Sequence, residues 1–271
     1  MAGAPRIDFI VIGAQKAGTT ALYDYLAEDS AIGLSQVKEV HFFDDESIDW
    51  AAPDYEPYHR QFRWDRPAIR GEATPIYIYW PQSLERIARY NSAIRLILLL
   101  RDPVERAWSH WKMEYARGVE TKPFAWCIRE GRHRLFDSEP WGVHREFSYV
   151  ERGFYGEQTE RLLSLFPRDQ VLILAAEALR RDPNGALGQV NAFLGAPPPP
   201  ILTPREVHVG REMDYGGDLA GEDVAFLPPE VIPYFGLIPL GLGLWSAWQA
   251  WRRRHDDDDD DEGKIEGKNV A

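Results

Sequence analysis

Residues 9 to 22 read Phe-Ile-Val-Ile-Gly-Ala-Gln-Lys-Ala-Gly-Thr-Thr-Ala-Leu, and this run constrains the fold more than any other part of the chain. Phe9 to Ile12 are consecutive apolar residues, the pattern of a strand buried on both faces. The Gly/Thr run after them suits a tight turn that opens onto a helix. Such a junction aims backbone N–H groups and a helix N-terminus at one spot, where an anion is stabilised, and Lys16 adds a full positive charge. The common nucleotide loop, G-x-x-x-x-G-K-[ST], carries its lysine after the second glycine. Here Gly13-Ala-Gln-Lys-Ala-Gly-Thr-Thr20 places Lys16 ahead of Gly18, inside the loop itself. A phosphate-binding loop is the natural reading, with an ordinary strand-to-helix turn as the alternative for this segment taken alone.

A second strand-plus-loop begins at Ile94-Arg-Leu-Ile-Leu-Leu-Leu-Arg-Asp-Pro and continues into Val104-Glu-Arg-Ala-Trp-Ser-His-Trp. Leu96 to Leu100 read as a central parallel strand, with Arg101 at its C-terminal end, where ligands bind in open α/β sheets. Pro103 fits the first turn of the next helix, and Ser109 follows about two turns later. A guanidinium fork plus a hydroxyl suits a second phosphate.

Together these segments resemble the sulfotransferases that use 3′-phosphoadenosine-5′-phosphosulfate (PAPS), and most closely the heparan-sulfate-type branch and its bacterial relatives. The resemblance implies an α/β fold, a P-loop-like parallel sheet flanked by helices. It implies that Gln15, Lys16, Ala17, Gly18, Thr19 and Thr20 grip the 5′-phosphosulfate, and that Arg101 and Ser109 grip the 3′-phosphate. Lys38-Glu-Val-His-Phe-Phe-Asp44 resembles the K-E-x-H-F-F-D element that supplies the catalytic carboxylate. Gly71-Glu-Ala-Thr-Pro75 resembles a G-E-x-[ST]-P segment, and Gly153-Phe-Tyr155 a helix start on the nucleotide side, with Tyr155 near the cofactor. Val171-Leu-Ile-Leu and Leu179-Arg-Arg-Asp-Pro183 resemble the late strand and the helix after it. His208-Val-Gly-Arg211 takes the place of the loop that closes over the 3′-phosphate, which assigns Gly210 and Arg211 to cofactor binding.

The resemblance covers roughly residues 7 to 227, and two departures stand out. Ala73 occupies a position where some relatives carry a second lysine, and the chain after Leu227 does not follow the usual closing helix. The expected organisation is a sulfotransferase domain at 7–227, an apolar segment at 228–254 and an acidic disordered tail at 255–271. Val231 to Trp251 carry no charge and precede Arg252, Arg253 and Arg254. Pro233, Pro239 and several glycines interrupt that run. Packing on the domain as a closing helix is therefore favoured over membrane contact.

Composition fits one α/β core of ordinary size: 271 residues, 44% hydrophobic. Cys127 is the only cysteine, so no intrachain disulfide forms, and the N-terminus runs almost directly into the first strand without a signal-peptide pattern. A cytoplasmic enzyme is the expectation, with peripheral membrane association as the alternative. The net charge is −12, and the run Asp256 to Asp261, Glu262 and Glu266 against Lys264 and Lys268 accounts for half of it. The body is thus mildly acidic, which argues against nucleic acid and against a broad polyanion-binding surface. Apolar strand signals at 8–12, 95–100 and 171–174 alternate with helical patterns at 19–27, 81–90, 104–117 and 156–166, as βαβ units require. Residues 122–148, rich in Trp, Arg and His, show no clean period and read either as part of an acceptor cleft or as a surface excursion.

No H-E-x-x-H and no G-x-S-x-G occur, and with one cysteine no zinc set assembles, so no metal is expected. The chemistry that the resemblance implies is transfer of a sulfonate from PAPS to an acceptor hydroxyl on a small molecule, lipid or saccharide, leaving 3′,5′-bisphosphoadenosine. Lys16 would offset charge on the departing phosphate. Glu39 is the expected general base, with His41 and Asp44 orienting it or the acceptor, and His41 itself as the alternative base. As the carboxylate protonates, turnover is expected to fall toward acid. A P-loop nucleotide or sugar kinase, and a PAPS-binding protein without turnover, are the rival readings.

Overall fold

The computed structural model of the chain describes residues 6–65, 68–139 and 141–202. All of them lie in one compact unit spanning residues 1–236. The expectations for Gly210 and Arg211, for the segment 228–254 and for the tail 255–271 lie outside the described residues.

Five parallel strands form the sheet: β1 (Phe9–Gly13), β2 (Ile32–Leu34), β3 (Ile69–Ala73), β4 (Arg95–Leu100) and β5 (Val171–Ala175). Their spatial order is β2-β3-β1-β4-β5. β1 is the middle strand; it registers Phe9 against Gly71 on β3 and against Arg95 on β4. β4 is therefore interior but not central, with β5 beyond it pairing Leu96 to Val171. Every residue of β1, and every residue of β4 after Arg95, is buried. That burial is the reason both strands read as continuous apolar runs rather than as an alternation.

Eight helices accompany the strands among the described residues: α1 (Thr19–Leu26), α2 (Glu56–His59), α3 (Ser83–Tyr90), α4 (Pro103–Ala116), α5 (Phe124–Arg129), α6 (Tyr155–Leu165), α7 (Ala176–Arg181) and α8 (Pro183–Leu194). The helical periods read from the sequence coincide with α1, α3, α4 and α6 to within two residues. α4 starts where its chemistry dictates: Asp102 accepts from the Val104 and Glu105 N–H groups at 2.9 and 2.8 Å, and Pro103 fills the first helical position. Asp182 caps α8 in the same way, accepting from the Gly185 N–H at 2.9 Å ahead of Pro183.

The chain runs from β1 to β2 and β3 on one side, then crosses to β4 and β5 on the other. The topology thus reverses at β1, and a crevice opens beyond the carboxyl ends of β1, β3 and β4. On the β3 side, Phe42, Phe43, Tyr58, Tyr77 and Tyr90 are buried together, with Phe42 and Tyr58 stacked at 4.9 Å between ring centroids. On the β4 side, Trp111, Phe124, Cys127 and Tyr149 form a second apolar cluster under the 122–148 excursion. Burial pushes the Cys127 thiol up to about 12, which makes it an inert packing residue. None of the described helices is long and apolar enough to cross a membrane.

Candidate active site

The β1–α1 loop has the geometry its sequence demands. Gly18 precedes α1 with φ 89°, a conformation that costs any residue with a Cβ. A side chain at Gly13 would come within 2.3 Å of Ile78 Cγ2, so the strand end needs glycine as well. Gly18, Thr19 and Thr20 line the cleft, and their N–H groups are those an α-helix leaves without intrahelical acceptors. The Lys16 ammonium lies 3.6 Å from Met113 Sδ on α4, a weak acceptor. Burial, followed by repulsion from Arg117, lowers its pKa. A half-buried ammonium facing a thioether and helix-end donors is the arrangement that an anion completes. Gln15, in contrast, turns its Oε1 to accept from Arg152 Nη1.

The second anion element sits across the cleft. Arg101 follows β4 directly and donates from Nη1 to the Lys16 carbonyl at 3.3 Å, which ties the two loops together. Its Nε and Nη2 are held by Glu105 Oε2 at 3.0 and 2.8 Å. Ser109 lines the same cleft from the second turn of α4. Tyr155 does not: it is buried at the start of α6, where burial raises its hydroxyl to about 12. The structure places it behind Arg101 rather than on the cleft wall.

The third element is the segment from Lys38 to Asp44. Its backbone is pinned at both ends. The Glu39 N–H donates to the Ala73 carbonyl of β3 at 3.0 Å. The Phe42 and Phe43 N–H groups donate to Tyr77 Oη at 3.0 and 3.3 Å. Tyr77 in turn donates to Glu72 Oε1 at 3.2 Å, and Glu72 also accepts from Tyr58 and Thr74. Glu72 is fully buried, which pushes its carboxyl up to about 7; it orients Tyr77 rather than facing the cleft. Between the two pins, Glu39 and His41 adopt φ values of 62° and 56°. Besides Gln82 at the start of α3, the described non-glycine residues with positive φ are Lys16, Glu39 and His41. Such strain persists only where surrounding contacts enforce it, and it concentrates at working sites.

Glu39 Oε1 is in contact with Lys38 Nζ, and its Oε2 lies 3.6 Å from His41 Nε2. His41 Nδ1 lies 2.9 Å from Asp44 Oδ2. Asp44 is buried and lies behind His41, where Arg145 Nη1 also donates to its Oδ2. Burial alone would raise the Glu39 carboxyl, but the His41 imidazole and the Lys38 charge outweigh it and hold it at about 2. The Asp44 and Glu39 carboxylates lift His41 to about 9. Near neutral pH the set is therefore carboxylate, imidazolium, carboxylate.

One cleft of about 1420 Å³ is lined by all three elements, so Lys16, Arg101, Ser109, Glu39 and His41 face a common space. Charged residues that sequence reasoning did not assign line it as well, among them Lys112 and Glu114 on α4, Arg117 just after it, and Arg145 from the 122–148 excursion. The excursion thus contributes to the cleft wall. α4 offered the signal that was missed, because Lys112 lies near Ser109 on the same helix face. Arg145 belongs to the segment read as acceptor cleft or surface excursion, but nothing singled it out there, since its partner Asp44 is remote in sequence.

The family model described as a sulfotransferase domain matches residues 6–207. Heparan sulfate glucosamine 3-O-sulfotransferase 5 of Mus musculus is 30% identical over 195 residues, covering 70% of this chain and 53% of that protein. Heparan sulfate glucosamine 3-O-sulfotransferase 3B1 of Homo sapiens is 31% identical over 197 residues, covering 69% of this chain and 45% of that protein. The chain spans about half the length of the curated relatives it matches. Among solved structures, a sulfotransferase from Alicyclobacillus acidocaldarius superposes with a TM-score of 0.69 at 27% identity, over 90% of this chain and 100% of that one. With the phosphate loop, the Arg101–Ser109 element and the Glu39–His41–Asp44 set on one cleft, and a family match running through all of them, the chain belongs to the sulfotransferase domain family.

Proposed function

We propose that this chain moves a sulfonate group from PAPS to an acceptor hydroxyl, with Glu39 as the general base. The observation that carries the reading is the convergence of Lys16, Arg101 with Ser109, and Glu39 with His41 on a single cleft. PAPS supplies an already activated sulfonate, whose sulfur is joined to the 5′-phosphate through a bridging oxygen that leaves with the phosphate. The residues present fit such a donor. Lys16 and the N–H groups of Gly18, Thr19 and Thr20 form a cationic pocket, and the ammonium's one hydrogen-bond partner among the described residues is a thioether. Preorganised donors of this kind are worth most where negative charge grows on a leaving oxygen. Arg101 and Ser109 offer a fork and a hydroxyl to the 3′-phosphate.

Glu39 is ionised at any ordinary pH and accepts the hydroxyl proton as the new O–S bond forms and the old S–O bond breaks. His41, protonated and braced by Asp44, holds Glu39 in place and offers positive charge beside the reacting group. A saccharide hydroxyl is the acceptor class that the names of the relatives favour.

Calorimetry with 3′,5′-bisphosphoadenosine and with ATP–Mg²⁺, followed by turnover of labelled PAPS, tests the proposal. Tight binding of the bisphosphate and release of labelled sulfonate to hydroxyl acceptors is the expected result. Tighter binding of ATP–Mg²⁺ would replace it with the kinase reading.

A further inference from the structure

Two arginines from one short segment reach both halves of the cleft. Arg145 grips Asp44 twice: Nη1 donates to the carboxylate Oδ2, and Nη2 donates to the Asp44 backbone carbonyl at 2.5 Å. Its guanidinium carbon sits 4.2 Å from the centroid of the Trp80 ring, so the plane is fixed by stacking as well as by hydrogen bonds. The side chain is 38% exposed and lines the cleft, while Asp44 is fully buried.

Arg152 is buried, with 2% of its surface exposed, and no carboxylate meets it in a hydrogen bond or ion pair among the described residues. Nη1 donates to Gln15 Oε1 in the phosphate loop. Nη2 donates to the Arg145 carbonyl at 2.7 Å and reaches the His144 carbonyl at 3.5 Å. Its Nε has no hydrogen-bond partner among the described residues. A buried guanidinium with only neutral acceptors is costly, and a fold that merely needed packing there would be served by an apolar side chain. The contacts run without a break from Gln15 through Arg152 to the backbone of Arg145, then through Asp44 and His41 to Glu39.

We propose that Arg145 and Arg152 are positioning residues for the transfer: Arg145 fixes Asp44 and so aims His41 at Glu39, and Arg152 registers that bracket on the donor loop through Gln15. This rests on the reading of Glu39 and His41 as the proton-handling pair. Asp44 has two claimants, His41 Nδ1 and Arg145 Nη1. Removing Arg145 leaves the whole carboxylate to His41 and leaves the Asp44 carbonyl unpaired. The charged groups that face His41 from the elements around it are Asp44, Glu39 with its partner Lys38, and Arg145. With the Arg145 cation gone and only Lys38 left, on the far side of Glu39, the imidazolium is held more tightly. Lysine at 145 keeps the charge but cannot serve carboxylate and carbonyl with a planar fork.

The test uses the full chain as wild type, Arg145→Ala, Arg145→Lys and Arg152→Lys. Three quantities are read: His41 titration by NMR, 3′,5′-bisphosphoadenosine affinity by calorimetry, and PAPS turnover. In Arg145→Ala the His41 pKa should rise by at least half a unit, nucleotide affinity should stay within about 3-fold, and turnover should fall about 10-fold or more. Free guanidinium should restore part of that turnover, because the vacated site opens on the cleft. Arg145→Lys should restore the titration but not the full rate. Arg152→Lys should lower both nucleotide affinity and turnover, because it frees Gln15 and the bracket together. If Arg145→Ala does not fold, Arg145→Lys alone decides: wild-type turnover in it overturns the bracket. An unchanged His41 titration in Arg145→Ala, or affinity and turnover falling equally there, overturns it too. Wild-type protein that never turns over PAPS would instead remove the sulfotransferase reading, and the His41 titration would still decide the bracket.

Discussion

His41 Nδ1 lies 2.9 Å from Asp44 Oδ2, and through that contact a buried carboxylate keeps an imidazole protonated well above neutrality. The consequence is a pH profile unlike the one the motif alone suggests. Glu39, held at about 2, is already ionised throughout the range where the protein would be assayed. The expected fall of turnover toward acid is thereby moved below about pH 3. His41, raised to about 9, loses its proton only above that value, and with it the positive charge beside Glu39. The kcat profile should be flat between about pH 4 and pH 8 and should fall on the alkaline side. A rise through pH 6 to 7 in initial-rate measurements would instead mean that His41 must be neutral to work.

Replacing Glu39 should spare the donor site and abolish transfer. Glu39→Gln keeps size and a hydrogen-bond acceptor but takes no proton at neutral pH. Turnover should drop by roughly 10²-fold or more, with nucleotide affinity nearly unchanged. His41→Ala should cost less, because it removes positioning and one charge rather than the proton sink. Steady-state kinetics beside calorimetry separates the two effects. Near-normal turnover in Glu39→Gln with none in His41→Ala would exchange their roles.

What the sequence made legible, and what it did not, follows from the range of the interactions. The strand at 9–13, the loop after it and the Arg-Asp-Pro start of α4 are local: an apolar run, a glycine that must take positive φ, a side-chain cap. Each is written within a few residues. β2 and β3 escaped because they carry little strand signal of their own. Ile32–Leu34 is three residues long with a central glycine, and Ile69–Ala73 reads Ile-Arg-Gly-Glu-Ala. Neighbouring strands, not local propensity, hold them extended. Arg145 and Arg152 were invisible because their partners, Asp44 and Gln15, lie 101 and 137 positions away. Glu72 was legible as a motif residue but not as a buried one, and only its burial shows that it serves Tyr77.

Tyr77 should matter to catalysis although it lies outside the cleft. Its hydroxyl takes two backbone N–H groups of the Glu39–Asp44 segment and gives its proton to Glu72. Tyr77→Phe keeps the ring in the aromatic cluster and removes only these bonds. Unpaired buried donors and an acceptor should lower stability by about 1–3 kcal/mol. The strained φ of Glu39 and His41 should relax, so kcat should fall more than nucleotide affinity. Denaturant unfolding and kinetics on the same variant check both statements. Wild-type turnover in a measurably destabilised Tyr77→Phe would show that Tyr77 serves the core alone.

The donor site should respond to its two cations and to one anion in opposite directions. Among the described residues the Lys16 ammonium hydrogen-bonds only Met113 Sδ, with Glu114 and Glu39 acting on it as nearby charges, and it gains a direct counter-charge when a phosphosulfate binds. Lys16→Ala should therefore cost about 2–4 kcal/mol of nucleotide binding. Arg101 starts from a different state, because Glu105 already occupies its fork at 2.8 and 3.0 Å. A 3′-phosphate must compete with that carboxylate, and an exposed pair of this kind is worth about 0–1 kcal/mol. Glu105→Gln should thus tighten binding of 3′,5′-bisphosphoadenosine by up to about 5-fold. It should leave binding of the 5′-monophosphate, which lacks the 3′ group, almost unchanged. Arg101→Ala should weaken the bisphosphate strongly and abolish the difference between the two nucleotides. Calorimetry across the two nucleotides and three variants checks the set. Equal tightening of both nucleotides by Glu105→Gln would mean a general charge effect, and Arg101 would lose its assignment to the 3′-phosphate.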